Sequence, residues 1–341
     1  MVAAVAVDDY AKQLSTAGVI VEPVSFNRGR LSPLQDAKTL FTLIRIYRKY
    51  CPHLIHHFQA KPIILGGLGV HFTDGAQVVN TLTGLGHAFV HGGITRHLAV
   101  VGYRLLLTRG EATIFQNPDD HRLFVDQGWI PAGKARLIVS SGVDTERFRP
   151  AITRSCEALR VLMVARLLWQ KGVREFVEAA EIVKREYPAI RFQLAGEWDI
   201  VHPDAVDEAW VQAVVNKGTI EFLGYLGNMD DQLRATDLFV LPSYYREGTP
   251  RVLLEAAACG LPVVTTDVPG CRETVVDGET GRLVPPRNSK ALAEAISEIL
   301  GDPGLRHRMG QSGRRLVEER FDIRTITEKY LAVYRDIGIE V

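Results

Sequence analysis

Leu238-Phe-Val-Leu-Pro-Ser-Tyr-Tyr-Arg-Glu-Gly-Thr-Pro-Arg-Val-Leu-Leu-Glu-Ala-Ala-Ala-Cys-Gly260 runs from an apolar tetrad through a polar loop into a helix pattern. The tetrad Leu238–Leu241 has the length and continuity of a strand buried on both faces. Pro250 suits a first helical position and Gly260 a stop, which predicts a helix from about Thr249 to Gly260. Gly248 permits close backbone approach, and the unsatisfied N–H groups of a helix start suit an anion. Glu247 stands just before that helix, and Glu255 falls inside its second turn. Two carboxylates are wrong for phosphate alone. They fit a ligand that also carries sugar hydroxyls, which a carboxylate accepts. The plainer alternative is a capping carboxylate plus an Arg251–Glu255 helix pair.

The same alternation extends both ways. Strands are predicted at Arg160–Val164, Arg191–Leu194, Thr219–Phe222, Leu238–Leu241 and Val263–Thr265. Helices are predicted between them at Val173–Glu186, Ala205–Asn216, Asp230–Ala235 and Pro250–Cys259. Strands alternating with helices imply a parallel sheet covered on both faces. A turn-rich stretch at 142–157, with Gly142-Val-Asp144 and Phe148-Arg-Pro150, marks a domain boundary. The chain of 341 residues is long enough for about two domains. The first, 1–150, carries strand candidates at His53–Phe58, Val78–Thr83, Thr113–Phe115 and Leu137–Ser140.

Ser32-Pro-Leu-Gln35 has the form of a capping box, with Ser32 as N-cap and Gln35 at the third helical position. The helix it opens is expected to bury Leu34, Ala37, Phe41, Ile44 and Tyr47. Arg45, Arg48 and Lys49 sit in its last turns, where the dipole favours cations, and Cys51-Pro52 stops it. These cations would also suit anionic lipid, but the apolar stripe is assigned to the core.

Lysine plus arginine and aspartate plus glutamate each number 40. A balanced chain argues against a general nucleic-acid binder. The balance hides an asymmetry: residues 1–150 hold 16 basic and 11 acidic residues and eight of the ten histidines. Hydrophobic residues at 46% and charged residues at 23% exclude wholesale disorder. No apolar run reaches the roughly 20 residues of a membrane span, and the start lacks the basic region of a signal peptide. The four cysteines form no CxxC pair and read as reduced thiols. There is no G-x-G-x-x-G before a helix, no G-x-x-x-x-G-K-[ST] and no D-x-D. His53, His56 and His57 are not spaced as metal ligands, because neighbouring strand residues face opposite ways.

Glu247-x7-Glu255 within Glu-Gly-Thr-Pro, followed by Gly260-Leu-Pro-Val-Val-Thr-Thr-Asp-Val-Pro-Gly-Cys-Arg-Glu273 and Gly281-Arg-Leu-Val-Pro-Pro286, resembles glycosyltransferase family 4. The resemblance implies an α/β GT-B fold: two Rossmann-like parallel-sheet domains facing a cleft, with retention at the transferred sugar. It implies 1–150 as the acceptor-side domain, 151–320 as the nucleotide-sugar domain and 321–341 as a helix crossing back. Val164-Ala-Arg-Leu-Leu-Trp-Gln-Lys-Gly172 resembles the family's diphosphate loop, so Arg166 and Lys171 would stabilise the leaving group. Phe222-Leu-Gly-Tyr225-Leu resembles the loop that receives the base. Glu255 would hold the ribose and Glu247 the transferred sugar, with Gly248 and Thr249 N–H groups nearby. No metal or other cofactor is implied. The implied partners are a nucleotide-sugar, expected to be UDP-linked, and a lipid-diphosphate-linked saccharide at the cytoplasmic face of the membrane.

Asn80-Thr-Leu-Thr-Gly-Leu-Gly-His-Ala-Phe89 resembles a bacterial subgroup that builds capsule, O-antigen and lipid-linked oligosaccharides. Thr83-Gly84 stands where many members have His-Gly, and His87 lies one short turn further; whether His87 takes over that contact is open. The resemblance starts late. The family's first strand, its glycine loop and its first helix have no counterpart before Val2–Val7. A late start codon, an inactive truncated member and a rearranged working sheet are the three explanations. Loss of a central strand would leave unpaired sheet edges. The alternative functions are a non-catalytic nucleotide-sugar-binding member and a sugar-nucleotide epimerase on the same fold.

Overall fold

A computed structural model describes residues 1–6, 9–26, 32–73, 75–85, 93–151, 158–200 and 202–340, with backbone only for 9 and 93–99. The chain forms two compact units, Met1–Leu137 with Leu331–Val341, and Ile138–Tyr330.

The second unit is built on a parallel six-stranded sheet. Its strands are β7 (Arg160–Val164), β8 (Arg191–Ala195), β9 (Glu221–Phe222), β10 (Leu238–Leu241), β11 (Val263–Thr266) and β12 (Gly281–Val284), in the order β12-β11-β10-β7-β8-β9. Helices α6 (Val173–Glu186), α7 (Glu208–Asn216), α8 (Met229–Arg234), α9 (Arg251–Ala258), α10 (Ser289–Gly301), α11 (Pro303–Arg320) and α12 (Ile323–Asp336) complete it, α12 ending in the first unit. Every residue of β10 and β11 is buried, as their uninterrupted apolar and β-branched sequences require. Phe176, Phe192 and Phe239 fill the core at 0% exposure, each contributing about 2–3 kcal/mol of apolar burial. The order runs outward from β7 to β9, then restarts beside β7 with β10. The crevice at such a reversal, beyond the carboxyl ends of the strands, is where open α/β sheets place ligands.

The predicted strands and helices of this unit agree with the structure to within a few residues. At α9, however, Pro250 is the N-cap rather than a helical residue, with φ −63° and ψ 113°. It reaches the helix start in extended conformation, and Arg251 takes the first helical position.

The first unit has two parallel sheets among its described residues. One pairs β1 (Val2–Val5) with β2 (Ile20–Pro23), with α1 (Asp9–Thr16) between them in sequence. The other has the order β3-β4-β5-β6, from Leu54–Phe58, Gln77–Leu82, Ala112–Phe115 and Ala135–Leu137. Helices α2 (Pro33–Tyr50), α3 (Ala60–Val70), α4 (Gly93–Leu107) and α5 (Pro118–Asp126) connect them. Leu43, Ile46 and Tyr47 of α2 pack with Val24, which follows β2, and with Ile55 of β3, so this helix joins the two sheets. Lys49 Nζ and Tyr50 Oη each reach Glu22 Oε1 of β2 at 2.7 Å.

Two expectations for α2 are corrected. The capping box does not form: the Ser32 side chain caps nothing, and the backbone N–H of Ser32 donates to Asp36 Oδ2 at 3.3 Å. The buried stripe is also displaced. Ile44 and Tyr47 are buried as expected, but Leu34 is 89% and Phe41 71% exposed, and Ala37 is exposed too. Thr39, Leu43 and Ile46 are buried in their place. Thr39 can be buried because its hydroxyl bonds Gln35 O at 2.9 Å and lies 2.8 Å from Ser25 O.

Candidate active site

Two loops meet where the strand order of the second unit reverses. The first leaves β7 and runs through Arg166 to a short 3-10 turn, Trp169–Lys171; the second leaves β10 and carries Ser243 to Pro250. Their close approach depends on Gly172, at φ +82°, where a Cβ would lie 2.2 Å from Pro242 O. The Tyr244 N–H donates to Gln170 O at 2.9 Å and ties the loops together. Gly270, at φ +91°, backs the second loop; a Cβ there would lie 1.7 Å from Gly248 O.

Lys171 and Glu247 form an ion pair at 2.5 Å, with side chains 9% and 17% exposed. The Ser243 hydroxyl donates to the other Glu247 oxygen at 3.0 Å. Lys171 Nζ also lies 5.2 Å from the centre of the Tyr245 ring. Arg166 Nη1 meets Asp199 Oδ2 at 3.0 Å. Arg251 Nη2 lies 3.4 Å from Glu255 Oε1, the helix pair considered from sequence. Burial pushes the Glu255 carboxyl above its usual range, partly opposed by the charges of Arg251 and Arg147. Arg147 itself pairs with Asp230 at 3.5 Å.

These groups border a cavity of about 300 Å³, lined by Arg166, Lys171, Tyr225, Glu247 and Glu255 among others. Five of the residues singled out from sequence are therefore together. Tyr225 lines the cavity and is 64% exposed. Gly248 is buried against Gly270, and Thr249 is buried at 7% exposure; neither lines the cavity with a side chain. Thr83 and Gly84 follow β4 in the first unit, with Gly84 at φ +117°. His87 lies outside the described residues. Sequence reasoning missed Asp199, the partner of Arg166, and Glu197, which lines the cavity. Both follow β8 in Gly196-Glu-Trp-Asp199, a loop at the carboxyl end of a strand, and that position was the available signal.

A cleft at the reversal point, holding two cations against two carboxylates, suits a ligand that carries both phosphates and hydroxyls. With two Rossmann-like parallel sheets, these features define a GT-B glycosyltransferase. The chain belongs to the glycosyl transferases group 1 family, family 4, whose model matches residues 144–316. It is 28% identical to the N,N'-diacetylbacillosaminyl-diphospho-undecaprenol α-1,3-N-acetylgalactosaminyltransferase of Campylobacter jejuni, over 96% of this chain and 88% of that one. It is 25% identical to the UDP-Gal:α-D-GlcNAc-diphosphoundecaprenol α-1,3-galactosyltransferase of Escherichia coli, over 91% and 82%. Anabaena HepE, solved in complex with UDP-glucose, shares the fold with a TM-score of 0.81 at 21% identity, over 98% of this chain and 90% of that one.

Among the described residues no cluster of histidine, cysteine, aspartate or glutamate could hold a metal ion. No described helix is long and apolar enough to cross a membrane.

Proposed function

We propose that the enzyme transfers a sugar from a UDP-sugar to a lipid-diphosphate-linked saccharide, with retention at the anomeric carbon. The observation that carries this reading is the meeting of Lys171 and Glu247 in a cavity that Arg166 and Glu255 also line. Glu255 accepts hydrogen bonds from the ribose hydroxyls and Glu247 from the sugar, with the Gly248 and Thr249 N–H groups beside it. Arg166 and Lys171 bind the diphosphate, and Tyr225 stands beside the base. The bond from C1 to the diphosphate oxygen breaks, and the leaving oxygens draw their charge toward the two cations. One of those oxygens takes the proton of the incoming hydroxyl, whose oxygen bonds to C1 on the face just vacated. The names of the Campylobacter and Escherichia coli relatives support the acceptor class, and the enzyme would meet such an acceptor at the cytoplasmic face of the membrane. Thr83, Gly84 and His87 are the acceptor-side candidates.

UDP should raise the melting temperature by several degrees at about 100 times its dissociation constant, and GDP, dTDP and ADP should not. The double variant Arg166→Ala/Lys171→Ala should abolish transfer; unchanged rates would overturn the assignment. Without acceptor the UDP-sugar should remain chemically intact, whereas its conversion to an isomer would mark an epimerase.

A further inference from the structure

We propose that Arg287 is a positioning residue for the transfer reaction: it holds the ring of Tyr244 and, through that ring, the loop that carries Glu247. The inference rests on the donor-site reading above and adds a third loop to it. Arg287 lies in the turn between β12 and α10, and its guanidinium carbon stands 4.4 Å from the centre of the Tyr244 ring. Neither residue lines the donor cavity, so Arg287 acts on the site through its neighbours.

The backbone at Arg287 has φ +58°. The turn requires this conformation, because the next residue, Asn288, caps α10 by accepting the Ala291 N–H at 3.0 Å. It does not require arginine. The left-handed region strains residues that carry a Cβ, and glycine or asparagine would occupy it at less cost. An arginine there goes against the local preference, and what it gains is the face of Tyr244, an attraction between cation and ring. The turn is tied to α6 by the Ser289 hydroxyl, which meets Glu178 Oε2 at 2.5 Å. In the first turn of α6, Glu175 is 9% exposed, and its Oε2 has no hydrogen-bond partner among the described residues. Burial raises the Glu175 carboxyl above its usual range, and the charges of Arg174 and Arg287 are among the groups that oppose the rise. Glu175 and Arg287 thus attract one another beside the same Tyr244 side chain.

Tyr244 is where a hold on this loop counts. Its N–H donates to Gln170 O at 2.9 Å, one residue before Lys171. Ser243, just before it, donates to Glu247 at 3.0 Å. Fixing Tyr244 therefore fixes the two loops in the register at which Lys171 and Glu247 meet.

The test compares the parent with Arg287→Gly and Arg287→Lys in a sugar-transfer assay, in thermal melts with and without UDP, and by hydrogen exchange. Glycine relieves the strained backbone while removing the hold on the ring. Arg287→Gly should therefore melt within about two degrees of the parent and keep the UDP-dependent shift. Its kcat should fall about tenfold, and exchange of the Tyr244 N–H should quicken about tenfold. Arg287→Lys keeps a cation for the ring and should recover most of kcat. Tyr244→Leu should lose a similar factor, and Tyr244→Leu/Arg287→Gly no more than either single variant. If the glycine variant does not fold, Arg287→Asn, which also accepts the left-handed backbone, takes its place. Parental kcat in the glycine variant, a lysine variant as slow as the glycine one, or losses that multiply in the double variant would each overturn the proposal. A parent that binds UDP but transfers no sugar would count against the reaction instead. The Tyr244 exchange would then decide the hold by itself, and unchanged exchange in Arg287→Gly would overturn it.

Discussion

Lys171 and Glu247 stand 2.5 Å apart on the two loops that leave the central strands β7 and β10. In the proposed reaction, the cation that binds the diphosphate is thus neutralised, before any donor arrives, by the carboxylate that binds the sugar. Each group holds the other where burial would otherwise disfavour its charge. A donor that brings phosphates to Lys171 and hydroxyls to Glu247 replaces one ion pair with two sets of charge-assisted hydrogen bonds.

Removing one member of this pair should therefore harm both stability and activity. Lys171→Met removes the cation paired with the buried Glu247 carboxylate, at a cost of roughly 3–5 kcal/mol. Lys171→Met/Glu247→Gln should recover much of the melting temperature and none of the transfer. Thermal melts and a sugar-transfer assay on the same preparations check it. A double variant no more stable than Lys171→Met would show that the pair is not what holds the loops.

Gly270 supports the same loop from behind. A Cβ there would lie 1.7 Å from Gly248 O, whereas at Gly278, also at positive φ, it would only touch the tip of Arg282 at 3.4 Å. Gly278→Ala should cost about 1–2 kcal/mol of backbone strain and leave transfer unchanged. Gly270→Ala must also displace the Glu247-Gly248 backbone, and should lower kcat about a hundredfold. Equal kinetics for the two variants would separate loop position from catalysis.

Glu255 carries a pH signature. Burial raises its folded pKa above the unfolded value, so ionisation costs the folded state more than the unfolded one. The cost is absent below the unfolded value, grows as pH rises past it, and is complete above the folded value. Glu255→Gln should therefore melt higher than the parent at pH 7 and equal it near pH 4, while losing the UDP-dependent shift. A variant less stable than the parent at pH 7 would mean that Arg251 and Arg147 outweigh desolvation.

The second unit was legible from sequence because its central strands are buried on both faces. Leu238–Leu241 and Val161–Met163 leave no face to choose, so pattern and structure coincide. In α2 the apolar residues lie nearly all round the helix, and several stripes fit the spacing equally. Tertiary packing against Val24 and Ile55 selects Leu43 and Ile46 and leaves Phe41 in solvent. Helix α3 was not foreseen, since Pro62, Gly66, Gly67 and Gly69 resemble loop punctuation. Gly66 belongs in this helix because a Cβ there would lie 2.3 Å from the His57 ring. Lys171 and the two glutamates sit in recognisable local patterns, whereas Asp199 acts on Arg166 from another strand's loop, a relation no local pattern encodes.

His57 and its neighbour His56 set the acid sensitivity of the first unit. His56 is bonded at both ring nitrogens, to Tyr334 Oη at 2.6 Å and Thr81 Oγ1 at 2.7 Å. His57 bonds Asn80 Oδ1 at 3.1 Å and Tyr47 Oη at 2.9 Å. Burial pushes the His56 imidazole down to about 3, with repulsion from His57 adding to it, and His57 down to about 4 against the opposing bond to Asn80. Both are thus neutral when folded and protonate near 6.5 when unfolded. Their contribution is complete above that value and falls as pH drops toward the folded values, because the unfolded chain then binds more protons. At pH 5 the loss is about 2 kcal/mol per histidine. The end of α12 should loosen first, since Tyr334 holds it to β3 through His56. Hydrogen exchange of residues 331–336 at pH 7 and pH 5 should show that loosening, and His56→Gln should flatten the pH dependence of the melt. A parent melt that stays level between pH 7 and pH 5 would show that the pair does not govern the acid response.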